Sequence, residues 1–137
     1  MSARAFVDTN VFVYLFDADA PDKKAVAGRL LREEAGRLVL STQVLKEFYV
    51  TVTRKLAKPL PEDEALNATR ALGELPVVQV DAETIYAAIS LSQRHRLSFW
   101  DALVIRAAVT GGCEVLLSED LQHGQEVDGV RVENPFL

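Results

Sequence analysis

Apolar residues recur along this chain in two ways. Short uninterrupted runs, Ala5-Phe6-Val7, Leu38-Val39-Leu40 and Val115-Leu116-Leu117, lack polar alternation. Such runs predict short strands buried on both faces, as in a parallel sheet. Val77 to Val80 predicts the third strand in chain order and Val130 to Val132 a short last one. Between them the apolar residues take helical spacing. The first helix follows Asp8-Thr9-Asn10, with Thr9 and Asn10 suited to its cap. Asp22 is placed to cap a second, running to about Glu34 through Val26, Leu30 and Leu31 and closed by Gly36. Ser41 and Thr42 open a third, whose apolar side is Val44, Leu45, Phe48, Val52 and Leu56. Lys58-Pro59-Leu60-Pro61 is the clearest break, and Pro61 followed by Glu62, Asp63 and Glu64 starts a fourth helix that ends near Gly73 and Pro76. Asp81 caps a fifth reaching about His95. Ser98 opens a sixth with Trp100, Leu103, Val104, Ala107 and Ala108 on one apolar face, stopped by Gly111-Gly112. Strands alternating with helices over short links predict an α/β fold, a mainly parallel sheet of four to five strands layered between helices.

Composition narrows the class. A chain of 137 residues fits one domain over 1–137, and 49% hydrophobic with 26% charged residues is ordinary for a globule. The one cysteine, Cys113, has no internal disulfide partner and reads as a small buried hydrophobe in a reducing cytoplasm. No apolar run approaches the roughly 18 residues of a membrane span. Met1-Ser2-Ala3-Arg4 leads straight into the first strand, which predicts no signal peptide. The net charge of −5 weighs against a nucleic-acid partner, unless acids gather at a metal and bases surround them.

The candidate chemistry is acidic. Asp8 and Asp120 each follow a buried strand, at the end where an open parallel sheet carries its ligand. Either alone reads equally as a helix or turn cap; two in equivalent places favour a site. Asp101 lies in the first turn of its helix, three residues after Ser98, where a capping-box variant is the plain alternative. Glu47 sits off the centre of its helix's apolar stripe, and on periodicity alone it is solvated.

Asp8-Thr9-Asn10 after the first strand, Val44-Leu45-Lys46-Glu47-Phe48, Phe99-Trp100-Asp101-Ala102 and Ser118-Glu119-Asp120 together resemble the PIN domain. The resemblance spans essentially the whole chain and is nearest to the VapC-type toxin ribonucleases of toxin–antitoxin pairs. It implies a three-layer α/β/α fold with strand order 3-2-1-4-5. It also implies that Asp8, Glu47, Asp101 and Asp120 form an acidic tetrad for Mg²⁺ or Mn²⁺, with Asn10 and Ser118 as orienting groups. Hard oxygen donors without a Cys/His cluster suit those ions. The implied activity is endoribonuclease; the implied partners are an RNA substrate, a VapB-like antitoxin and a second copy in a homodimer, with no membrane. Glu119 stands where many members have asparagine and is expected to face solvent. His95 and His123 are expected at the surface. Arg94-His95-Arg96 and Arg54, Lys55 and Lys58 could hold an RNA backbone or simply be solvated, and Trp100 is expected in the core rather than stacked on a base.

Rival classes fit less well. A phospho-acceptor receiver module needs a lysine after a late strand, and none occurs beyond Lys58. An Asp-x-Asp phosphatase fails because Asn10 stands two residues beyond Asp8. A PIN domain that binds RNA or a partner without cutting, or a non-toxin processing nuclease, remains as the alternative.

Overall fold

The core is organised by β1 (Ala5–Val7), whose three residues are all buried and pair in parallel on both sides. The computed structural model describes residues 3–137, so the reading of Met1-Ser2 lies outside the described residues. Beside β1 lie β2 (Leu38–Ser41) and β4 (Val115–Leu117), also buried throughout. The order is β3-β2-β1-β4-β6-β5, where β3 is Val77–Val78, β5 Glu126–Val127 and β6 Val130–Glu133. All pairs are parallel except β5 with β6. The expected order 3-2-1-4-5 is therefore present, its last strand being β6. The sheet has six strands rather than four or five, because Asp128-Gly129 turns an extra edge strand back on β6. Asp128 (φ 51°) and Gly129 (φ 80°) supply the paired positive angles of a tight two-residue hairpin turn.

Helices α1 (Thr9–Val13), α2 (Pro21–Glu34), α3 (Thr42–Arg54), α4 (Glu62–Leu72), α5 (Ala82–His95) and α6 (Phe99–Thr110) fill the links. Ser41 accepts from the Val44 N–H, Asp81 from Thr84 and Ser98 from Asp101, so three of the expected caps form. Others shift. Pro21 opens α2 and puts Asp22 in its first turn rather than at the cap. Gly36 falls inside a 3-10 turn, Ala35–Arg37. Helix α3 stops at Arg54, leaving Leu56 beyond it. Strand β3 is cut to two residues because the Val80 N–H bonds the Thr42 hydroxyl (3.2 Å) instead of a neighbouring strand. No helix among the described residues is long and apolar enough to cross a membrane.

The core of Phe6, Phe12, Phe48, Leu40, Leu116 and Ile105 is fully enclosed. It is closed at the end of α6 by Gly111, where a Cβ would come within 2.9 Å of Val78 Cγ2 and 3.2 Å of Val39 Cγ1. Gly111→Ala is therefore expected to destabilise the fold by about 1–3 kcal/mol through overpacking. Urea unfolding measures this, and an unchanged midpoint would show that the two valines yield freely.

Candidate active site at the carboxyl end of the sheet

Sheet register brings the first pieces together. Val7 pairs with Leu117, so the next residues, Asp8 and Ser118, leave adjacent strands side by side. The Asp8 N–H bonds the Leu117 carbonyl (3.0 Å) and the Ser118 N–H bonds the Glu133 carbonyl (3.0 Å), which fixes both main chains. This is where strand order reverses, between β1 and β4, the place an open α/β sheet leaves for a ligand.

Ser118 is wholly buried. Its hydroxyl donates to Asp8 Oδ2 (2.9 Å) and accepts the Asp120 N–H (3.2 Å), tying the two acidic segments together. Asp8 Oδ1 accepts the Thr9 N–H (2.8 Å), so Asp8 itself is the cap of α1 and both readings of this residue hold at once. Thr9 and Asn10 are thereby displaced from the cap into the first turn. The Asn10 amide instead donates to Asp120 Oδ2 at 2.9 Å, across 110 residues of sequence. The Thr9 hydroxyl is buried without a partner.

Electrostatics gather the acids pairwise. Burial pushes the Asp8 carboxyl up to about 6; the bonds from Ser118 and Thr9 oppose this, and the Asp120 and Glu47 charges add to it. Asp120 is raised as well, by burial, by Glu119 and by Asp101. Glu47 is exposed on α3, as its periodicity predicts, yet its charge reaches Asp8. Asp101 is half-buried on α6, three residues past the Ser98 cap, and its N–H donates to the Ser98 hydroxyl (3.1 Å). The acids do not meet at a point: among the described residues no three His, Cys, Asp or Glu side chains already form a metal-binding group. Nor, among the described residues, does any Lys or Arg pair with Asp8, Glu47, Asp101 or Asp120, while four other acids do have such partners.

One of those partnered acids overturns an expectation. Glu119 does not face solvent. It accepts from Lys23 Nζ (2.8 Å) and from the Tyr14 hydroxyl, and Lys23 also donates to Tyr14 (3.2 Å). Burial raises the Glu119 pKa, but the Lys23 and Tyr14 bonds outweigh it and leave the carboxyl below its ordinary value. Tyr14 in turn meets Phe136 edge-on at 5.1 Å. Sequence spacing gave no sign of this group, because its members lie 9 to 105 residues apart. Its consequence is that Glu119, although beside Asp120, already has its cation.

Trp100 is the second correction. It is 62% exposed, whereas Leu103, Ala107 and Ala108 on the same face are buried. The first turn of α6 lies over the start of α3, where Trp100 lines a shallow cleft with Ser41, Val44, Glu47 and Val80. Cys113 behaves as expected: it is buried, and burial pushes its thiol up to about 11. His95 and His123 are exposed, as are Arg94, Arg96, Arg54, Lys55 and Lys58. His123 Nδ1 nonetheless accepts the Asn134 N–H at 3.0 Å.

A PIN domain family model matches residues 5–126. The chain belongs to the PIN domain family. Toxin-type PIN domains are ribonucleases, hence hydrolases. This PIN domain is similar to Mycobacterium tuberculosis VapC20, a sarcin–ricin-loop-cleaving toxin, with 23% identity, a TM-score of 0.66 and coverage of 82% of this chain and 86% of that one. It is also similar to a chain of a toxin–antitoxin complex from Klebsiella pneumoniae, with 18% identity, a TM-score of 0.71 and coverage of 96% and 97%. A DNA-bound VapBC from Salmonella typhimurium aligns with 15% identity, a TM-score of 0.69 and coverage of 98% and 99%. At these identities the likeness is one of fold. The PIN domain matches no curated protein sequence.

Proposed function

We propose that the chain, as one PIN domain, is a metal-dependent endoribonuclease and the toxin of a VapBC-type pair. The observation that carries this is the pair Asp8 and Asp120, tied through Ser118 at the sheet's switch point and, among the described residues, without basic partners, in a chain of the PIN family. Asp8, Glu47, Asp101 and Asp120 are assigned as ligands of Mg²⁺, or of Mn²⁺ in its place. The donor set fits such an ion: it is carboxylate oxygen throughout, and a buried carboxyl pushed up to about 6 by burial and like charge is one that a cation would favour in its ionised form. When bound, the ion supplies a lowered water pKa for attack on a phosphodiester and neutralises charge on the phosphorus oxygens. The chain's own contribution is orientation. Ser118 holds the Asp8 carboxylate through one oxygen and the Asp120 backbone through the other side of the same hydroxyl. Asn10 holds the Asp120 carboxylate. Such supporting bonds fix ligand direction and are worth roughly ten- to a hundred-fold in affinity or rate.

RNA is the substrate in this reading. A VapB-like antitoxin and a second copy are the partners, in the cytoplasm; the toxin–antitoxin complex and the VapBC of similar fold support the antitoxin. A PIN fold that binds RNA or a partner without cutting is the second reading. It is favoured by the lack of three converging ligand side chains among the described residues.

The test is cleavage of a mixed structured-RNA pool in Mg²⁺ or Mn²⁺ and in EDTA. Cutting that requires the metal supports the nuclease; metal-independent cutting, or none by antitoxin-free protein, removes it. Because Glu119 is neutralised by Lys23, Glu119→Gln should keep kcat/KM within about three-fold, on the scale of a partly exposed ion pair. A hundred-fold loss would place Glu119 among the ligands instead.

A further inference from the structure

Two adjoining clefts on α3 share Gln43 and Glu47. One is walled by Trp100, Val44, Val80 and Leu103, and its void measures only about 10 Å³. The other, about 260 Å³, is walled by Lys46, Lys55 and Val50. Glu47 lines both clefts and Trp100 immediately precedes Asp101, so the pair adjoins two of the four candidate acids. We propose that this is the substrate-strand track of the nuclease: a base of single-stranded RNA stacks on Trp100 while the adjoining phosphates lie along Lys46 and Lys55. The inference rests on the nuclease reading above and adds a positioning residue to it.

The observations favour a base over a peptide side chain. A void of about 10 Å³ is too small to receive an inserted side chain, so what the first cleft offers is the exposed flat ring. Phe99 meets that ring edge-to-face at 5.1 Å and an interplanar angle of 71°, which restrains the indole where it stands. Every base presents a π-face, so an aromatic platform beside a cationic groove serves a single strand of any sequence. In a chain of net charge −5, the exposed Lys46 and Lys55 supply the local positive charge that this cleft offers to phosphates.

Trp100 is the only tryptophan, so its emission reports this surface alone. The Asp8→Asn protein in Mg²⁺ would be titrated with a random-sequence single-stranded RNA of about a dozen nucleotides, while the wild-type protein is assayed for cleavage of the same RNA. The expected result is saturable quenching, weakened about ten-fold by Lys46→Ala with Lys55→Ala and relieved by salt. In cleavage, Trp100→Ala should lower kcat/KM about ten-fold, chiefly through KM, and Trp100→Phe should restore most of it. Cleavage without quenching, and unaltered in Trp100→Ala, overturns the track and leaves the nuclease. Quenching without wild-type cleavage retains the RNA surface and overturns the nuclease. Neither quenching nor cleavage overturns both. Emission that changes with protein concentration and not with RNA assigns this face to contact between copies and overturns the proposal.

Discussion

Asp8→Asn is expected to abolish RNA cleavage while leaving the metal-free protein as stable as the wild type or more so. The loss should be roughly a hundred- to a thousand-fold or greater, the scale on which removing one group that organises transition-state charge acts. The gain in stability follows from the same residue's environment. Asp8 is held above its ordinary value by burial and by the Asp120 and Glu47 charges, so at neutral pH the folded protein carries an ionised carboxylate where it is disfavoured. An amide keeps the acceptor for the Thr9 N–H and can donate to Ser118 Oγ, yet carries no charge. Cleavage and thermal unfolding in EDTA, on the same preparations, separate the two effects. Lost cleavage with a lowered melting temperature would make Asp8 a structural cap; retained cleavage would remove it from the site. A group whose removal harms activity and helps folding is one that the fold holds for chemistry.

How far the sequence anticipates this structure depends on the range of the interactions. Uninterrupted apolar runs mark β1, β2 and β4, because a strand buried on both faces admits no polar residue. The caps at Ser41, Asp81 and Ser98 are equally legible, since each involves a bond to a residue three positions on. The Asp128-Gly129 turn carries a recognisable signal, but strand β5 before it is only two residues long and forms no apolar run. Trp100 shows a different limit. Its angular position on α6 does lie on the apolar face, but periodicity says nothing about where along its axis a helix overhangs its neighbours. The Glu119–Lys23–Tyr14 group shows a third. Three residues brought together by topology leave no pattern in the chain, and only the folded sheet puts the end of β4 beside α2. The four acids sit between these cases: the family motif names them, strand ends explain Asp8 and Asp120, and nothing in local pattern distinguishes Glu47 from an ordinary solvated residue.

Without metal, the protein should lose stability as pH rises from about 4 to about 6, and Mg²⁺ should reverse the trend. The sign follows from Asp8. Its ordinary value is 3.8 and its folded value about 6, so between those limits the native state holds a proton that the unfolded state has released. Stability from this group is therefore fully present below about 4 and lost as pH passes through 6. At 1.36 kcal/mol per unit the change is about 2–3 kcal/mol. Asp120, raised for similar reasons, acts in the same direction. Glu119 and Asp81, both lowered, act oppositely at lower pH, where their protonation removes the bonds to Lys23 and Thr84. The difference between wild type and Asp8→Asn isolates the Asp8 part, and it should shrink toward zero below about pH 4. A divalent cation favours the ionised carboxylate, so it should raise the melting temperature at pH 7, do so far less at pH 4.5, and do so little in Asp8→Asn. Urea unfolding across this range in EDTA and in Mg²⁺ measures all of these. A wild-type curve that rises with pH in EDTA in parallel with Asp8→Asn would mean that Asp8 already has a cation within the chain. Asp8 would then not be an acid held for a metal.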